Sequence, residues 1–164
     1  MPHVIPGVET YERTYVGGRH VCARSEDKRA MRCWGANDWG QLGNGASDEA
    51  GQPTPTEVGG LDGTIDVVTL GVRHTCAYLV EPEISLRCWG ANDYGQIGIS
   101  EPQSTVPVPA TEVGAFVQHS SKASEHSCIV REDKTAWCYG LNDAGQLGNG
   151  KSGGSERTPV QVLF

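Results

Sequence analysis

The chain has 164 residues, of which 37% are hydrophobic, and a formal net charge of −7. That length admits a single domain, and the apolar content supports a core while falling short of a densely packed one. The acidic balance leaves no basic face for phosphate backbones or anionic lipid, so nucleic acid is excluded as an expected partner. No apolar run approaches the roughly 18 residues that cross a bilayer, and no membrane span is expected.

The opening MPHVIPGVET lacks the charged and apolar regions of a secretory signal, so export would rely on a signal absent from this chain. Residues 1 to 19 hold two short extended candidates, VIPGV and TYVGG, separated by the polar ETYER. His20 to Arg24 and Ala30 to Trp34 form a first hairpin, and GANDWGQLG turns the chain back. Residues 44 to 57, rich in Gly, Pro, Ser and Asp, read as a surface connection, with Pro53 and Pro55 setting up an extended entry to the next unit. TIDVVTLG alternates well enough for a buried strand, RHTCAYLV opens a second hairpin and ISLRCWG completes it. The third unit runs through VPVPATEVG, AFVQHSSKASEHSCIV and TAWCYG. The ending ERTPVQVLF resembles PTPTEV, VPVPATEV and the initial HVIPGV. This phasing predicts repeats over about 3–53, 54–106 and 107–157, with 158–164 as the first strand of a further unit. No stretch combines a helix start with a long 3.6-residue stripe, and the expected fold is all-β.

The repeat is explicit. CWGANDWGQLGNG at Cys33 to Gly45 returns as CWGANDYGQIGIS from Cys88 and as CYGLNDAGQLGNG from Cys138. Upstream of each lies His-x-Cys, at His20/Cys22, His74/Cys76 and His126/Cys128. A period of about 50 to 55 residues belongs to stacked or propeller-forming units. The six cysteines fall in three pairs, Cys22/Cys33, Cys76/Cys88 and Cys128/Cys138, each spanning a polar turn. Hairpins folded at those turns place paired cysteines on opposed strand positions, within modest adjustment of disulfide distance. Disulfides are the leading reading of these residues, with reduced structural cysteines and a metal site as alternatives. The metal reading is weak, because the pairs sit on successive repeats and lack short ligand spacing. Disulfides would imply an oxidising compartment.

The pattern G-x-x-H-[TS]-C-A, a hairpin turn, then C-W-G-x-N-x-x-G-Q-L-G resembles the repeat of the regulator of chromosome condensation family. The resemblance covers Gly17 to Gly45, Gly71 to Gly98 and Ser124 to Gly150. It implies one four-stranded β-propeller blade per repeat, hence a partial or half propeller here, and the paired cysteines look like a bacterial, exported branch. The repeated residues suit such a fold. Glycines at 35, 40 and 43, and at the matching positions of the other copies, allow positive φ and close approach of sheets. Asn37, Asn92 and Asn142 suit turns that bond their own backbone, and Gln41, Gln96 and Gln146 offer groups for exposed strand ends. Leu42, Ile97 and Leu147 are expected between adjacent sheets, beside Trp34, Trp89 and Tyr139.

Candidate chemistry is sparse. The three histidines have no thiolate to activate once the cysteines are paired, and the Asn-Asp-x-Gly turns lack the ligand run of a calcium loop. No phosphate loop, nucleophile elbow or metalloprotease motif is present. No catalytic residue, cofactor or metal is expected. The variable slot in the turn is more informative: Trp39, Tyr94 and Ala144 occupy one position, beside Asp38, Asp93 and Asp143. Aromatic residues next to carboxylates suit a binding face, and local packing over the blade edge is the competing reading.

Three blades alone would leave sheet flanks uncovered, so a second copy completing a ring or a longer array of blades is expected. The leading functional expectation is a non-enzymatic interaction module, extracellular or periplasmic, binding a protein or surface glycan through its turn-rich face. A self-assembling structural subunit of a fibre or surface assembly is the second class. The resemblance also implies guanine-nucleotide exchange, which the paired cysteines oppose, and inhibition of β-lactamase, for which no contact residue carries over. An enzyme is the third class.

Overall fold

The structure, a computed structural model, describes residues 10–111, 113–122 and 124–164. The initial VIPGV and the start of the first expected repeat lie outside the described residues. Twelve strands form three separate four-stranded sheets, and among the described residues there is no helix. The first blade is β1 (Tyr11–Val16), β2 (His20–Ser25), β3 (Met31–Asn37) and β4 (Asp48–Glu57). The second is β5 (Ile65–Leu70), β6 (His74–Leu79), β7 (Ser85–Ala91) and β8 (Gln103–Pro109). The third is β9 (Gln118–Ser120), β10 (His126–Val130), β11 (Ala136–Leu141) and β12 (Ser155–Gln161). Each sheet is an antiparallel meander with its strands paired in sequence order.

This topology shifts the expected phase. Residues 158–164 do not open a further unit: β12 pairs with β11 and is the fourth strand of the third sheet. Likewise residues 44 to 57 are not a plain connection, because β4 pairs with β3 across Cys33↔Thr56 and Gly35↔Gln52. Pro53 and Pro55 therefore close the first blade instead of opening the second. The physical reason is that a Pro-punctuated extended segment suits either edge of a sheet, where an N–H is not required by a neighbour. β1 starts inside the polar ETYER, at Tyr11, since only one of its faces is covered.

The hairpins form as expected. Register pairs Cys22↔Cys33, Cys76↔Cys88 and Cys128↔Cys138, and all three are disulfides with Cα atoms 4.1 Å apart. The glycine after each central aromatic, at 35, 90 and 140, sits at φ between 100° and 106°. A Cβ at Gly35 would lie 2.5 Å from the Arg19 carbonyl, so the sharp bend there admits only glycine.

Cores form between blades as well as within them. Leu42 packs with Trp89, Val58, Val68 and Leu70 in one buried cluster, and Ile97 packs with Tyr139, Val113 and Ile129 in a second. In the first two blades the turn residue, Leu42 or Ile97, thus meets the aromatic of the following blade, an offset of one from the expected pairing. Each such side chain, fully buried, contributes about 1.5 to 3 kcal/mol. Among the described residues no blade precedes the first, and Trp34 is half-buried.

Candidate binding face

The recurring Asn-Asp-x-Gly-Gln turn is built the same way three times. Asn37 Oδ1 accepts from Leu42 N at 3.1 Å, Asn92 from Ile97 N at 3.1 Å and Asn142 from Leu147 N at 3.0 Å. Gln41 Oε1 accepts from Trp39 N at 2.8 Å, and Gln96 and Gln146 do the same for Tyr94 N and Ala144 N. The glutamine side chains thus close their own turns; they do not serve the strand ends expected of them. In the outer two blades the amide also donates to the turn aspartate, Gln41 to Asp38 and Gln146 to Asp143, both at 2.8 Å.

The next blade docks on the back of this turn. Trp89 Nε1 and Thr75 Oγ1 both donate to the Gln41 carbonyl at 2.9 Å, and Ser127 Oγ donates to the Gln96 carbonyl at the same distance. His20 Nε2 shares a 2.8 Å hydrogen bond with Thr75 Oγ1. His119 bridges Thr69 Oγ1 and Tyr139 Oη, both at 3.1 Å. Burial pushes the pKa of His20 and His119 down to about 4 and that of His74 down to about 3. His20, His74 and His119 are therefore neutral structural groups at pH 7. The backbone ties the same junctions, with Gly18 N donating to Gly71 O at 3.1 Å and Val72 N to Ser124 O at 3.0 Å.

On the solvent side, one cation gathers residues of all three blades. Arg73 lies over the Trp39 ring at 4.6 Å, pairs with Asp93 at 3.1 Å and donates from Nε to Glu125 Oε1 at 2.8 Å. The other Glu125 oxygen accepts from Gln96 Nε2 at 3.0 Å, which frees Asp93 for the arginine. Burial alone would lower the Arg73 pKa, but the bond to Glu125 and the field of Asp93 outweigh it and raise it. Arg19 approaches Asp38 at 3.8 Å.

Of the residues singled out in the sequence, Trp39 and Asp93 are joined directly through Arg73, and Asp38 shares the turn of Trp39. Tyr94 is half-buried in the middle turn, while Asp143 is exposed and bonded within its own turn. Sequence reasoning missed Arg73 and Glu125. Their slot, immediately before the repeated histidine, reads Arg19, Arg73 and Glu125, and that reversal of charge at one repeated position was the available signal.

Three meandering four-stranded sheets, docked turn to aromatic, define a segment of a β-propeller. Two stretches, 33–78 and 116–146, match the model of the Regulator of chromosome condensation (RCC1) repeat, and the chain is an RCC1-like repeat protein. The Ultraviolet-B receptor UVR8 of Arabidopsis thaliana is 32% identical over 138 residues, covering 82% of this chain and 30% of the relative. The human probable E3 ubiquitin-protein ligase HERC6 is 30% identical over 161 residues, covering 96% of this chain and 15% of the relative. The chain thus spans less than a third of the length of either. Among solved structures, Prp20p of Saccharomyces cerevisiae superposes with a TM-score of 0.80 at 19% identity, over 94% of this chain and 38% of that one.

Proposed function

We propose that the chain is a non-catalytic interaction module that binds a protein partner through the face carrying Asp38, Trp39, Asp93, Tyr94 and Asp143. The observation that carries this reading is the Arg73 cluster, where one guanidinium holds an aromatic ring and two carboxylates from three blades in fixed positions. Rigid aromatic and arginine groups on a partly open surface are the composition of interaction hot spots. Relatives support the class: Prp20p is described with binding properties toward Gsp1p and histones. Of HERC6, the ligase among the relatives, this chain covers 15%.

The module works in an oxidising compartment, extracellular or periplasmic; the support is three disulfides and no free cysteine. Its outer flanks pack against further blades, from a second copy or a longer array. Assembly by strand addition into a fibre has less support, because the edge strands carry Pro53, Pro55, Pro107, Pro109 and Pro159. The test is capture of proteins from extracellular and periplasmic fractions of the source organism on the oxidised chain, beside a Trp39→Ala/Tyr94→Ala variant. A partner retained by the first and lost by the second supports the reading. A captured set that is identical for both sinks it, and free thiols in the natively isolated protein remove the compartment.

A further inference from the structure

A cavity of about 410 Å³ lies among residues separate from the Arg73 cluster, none of whose members line it. It is lined by the first strand of every blade: Arg13 and Tyr15 from β1, Asp66 to Thr69 from β5, and Gln118 to Ser120 from β9. Its volume lies within the range of about 300 to 1,000 Å³ that holds small organic ligands.

The walls differ in chemistry from the rest of the surface. Val67, Tyr78, Leu86, Phe116 and Val117 form an apolar interior, with the Tyr78 and Phe116 rings 5.4 Å apart and tilted by 53°. Val67 and Val117 remain 43% and 49% exposed, an uncommon setting for valines inside a concavity. His119, at the floor, already spends both ring nitrogens on Thr69 and Tyr139, so it holds the wall and offers a ligand nothing.

The charged groups at this cavity are Arg13, Lys122 and Asp66, which come from the first, third and second blades. None of the three side chains forms an ion pair among the described residues, whereas Arg19, Arg24 and Arg73 all do. Two cations against one carboxylate leave the rim with one positive charge in excess, in a chain whose net charge is −7. An anion entering here would meet cations from the first and third blades beside an aromatic and aliphatic lining.

We propose that this cavity binds a small organic monoanion with an aromatic or aliphatic body, its acid group held between Arg13 and Lys122. Charge gives the orientation, and the apolar wall supplies the contact area.

Two fluorescent probes of nearly equal shape test this on the folded, oxidised chain: anilinonaphthalene sulfonate, which is an anion, and neutral N-phenylnaphthylamine. The sulfonate is expected to bind saturably at one site per chain, at least about ten-fold more tightly than the neutral amine. Arg13→Glu combined with Lys122→Glu should weaken the sulfonate by at least about ten-fold and leave the neutral amine unchanged. Both positions are exposed, so the fold should hold, with near-ultraviolet circular dichroism as the control. Val67→Trp, or Val117→Trp where the first fails to fold, should exclude both probes by filling the cavity. Equal binding of the two probes, sulfonate binding insensitive to charge reversal, or binding that survives a filled cavity would each overturn the proposal.

Discussion

Lowering the pH from 7.5 to 4.5 should destabilise the chain steeply, and the buried histidines set the size of the effect. His20, His74 and His119 are buried at the blade junctions, with pKa values of about 4, 3 and 4 against an ordinary value of 6.5. Their folded pKa values lie below the unfolded one, so the unfolded chain takes up protons first as pH falls through 6.5. Stability is whole above that point and is lost between 6.5 and roughly 4. At pH 4.5 each ring costs roughly 2 to 3 kcal/mol, so the three together remove on the order of 7 kcal/mol. That is comparable to the whole stability of many domains, about 5 to 15 kcal/mol. The fall in Tm should be roughly 15 to 25 °C for a chain of this size. The assay is calorimetry or circular dichroism from pH 7.5 to 4.5, with the histidine variant separating the ring contribution from that of the carboxylates that begin to titrate near the acid end. His119→Gln, which keeps hydrogen-bonding capacity, should remove about a third of the slope. A Tm that moves by less than a few degrees over this range, or a variant with the full slope, would refute the reasoning.

Three further outcomes follow from the junctions. Arg24, 2% exposed, donates to the carbonyls of Ile65 and Asp66 in the next blade and to Glu12 Oε2 at 2.8 Å. Arg24→Met strands all three acceptors and should cost roughly 2 to 4 kcal/mol, read as a lower urea midpoint at unchanged m-value; a midpoint within error of wild type would contradict this. A Cβ at Gly71 would collide with the His74 ring and lie 2.7 Å from the Ser124 carbonyl, whereas Gly60, at φ 69°, has nothing within 4 Å. Gly71→Ala should therefore cost more than Gly60→Ala, whose penalty is about 1 to 2 kcal/mol from φ alone; equal unfolding midpoints would count against the packing argument. Trp39→Leu removes the ring beneath Arg73 and should cost about 0.5 to 1 kcal/mol. Combined with Glu125→Gln, the two losses should be non-additive in thermal unfolding, and strict additivity would mean that Arg73 does not couple them.

Much of the fold was legible because the repeat encodes local geometry. Polar turns between paired cysteines fix the hairpin register, and the asparagine and glycine positions fix the turn that follows. The phase of the fourth strand was not legible. An edge strand with prolines, such as 48–57 or 155–161, carries the same extended signal whether it opens one sheet or closes another. The matched stretch 33–78 shows the same offset, since it begins in β3 of one blade and ends in β6 of the next. The site was half legible. Trp39 and Asp93 stand out as aromatic and acidic departures in a repeated turn. Arg73 and Glu125 do not, because their meaning depends on which blade's residues they face across the junction. The leucine of the turn was expected beside the aromatic of its own blade; it meets the next one because the turn projects past its own sheet.

The side-chain hydrogen bonds to the turn glutamine carbonyl run in one direction at both junctions. A following blade supplies the donors, Trp89 Nε1 and Thr75 Oγ1 or Ser127 Oγ, and the preceding blade supplies a glutamine carbonyl. Each blade is consequently a vector, with unlike front and back. Two copies meeting back to back through a twofold axis across that surface would set carbonyl against carbonyl, and front to front would set indole N–H against indole N–H. Head-to-tail contacts satisfy both of these partners, and contacts of that kind generate closed rings or open helices. The front-to-back polarity of such a contact is thus written into the donor and acceptor order at the turn glutamine.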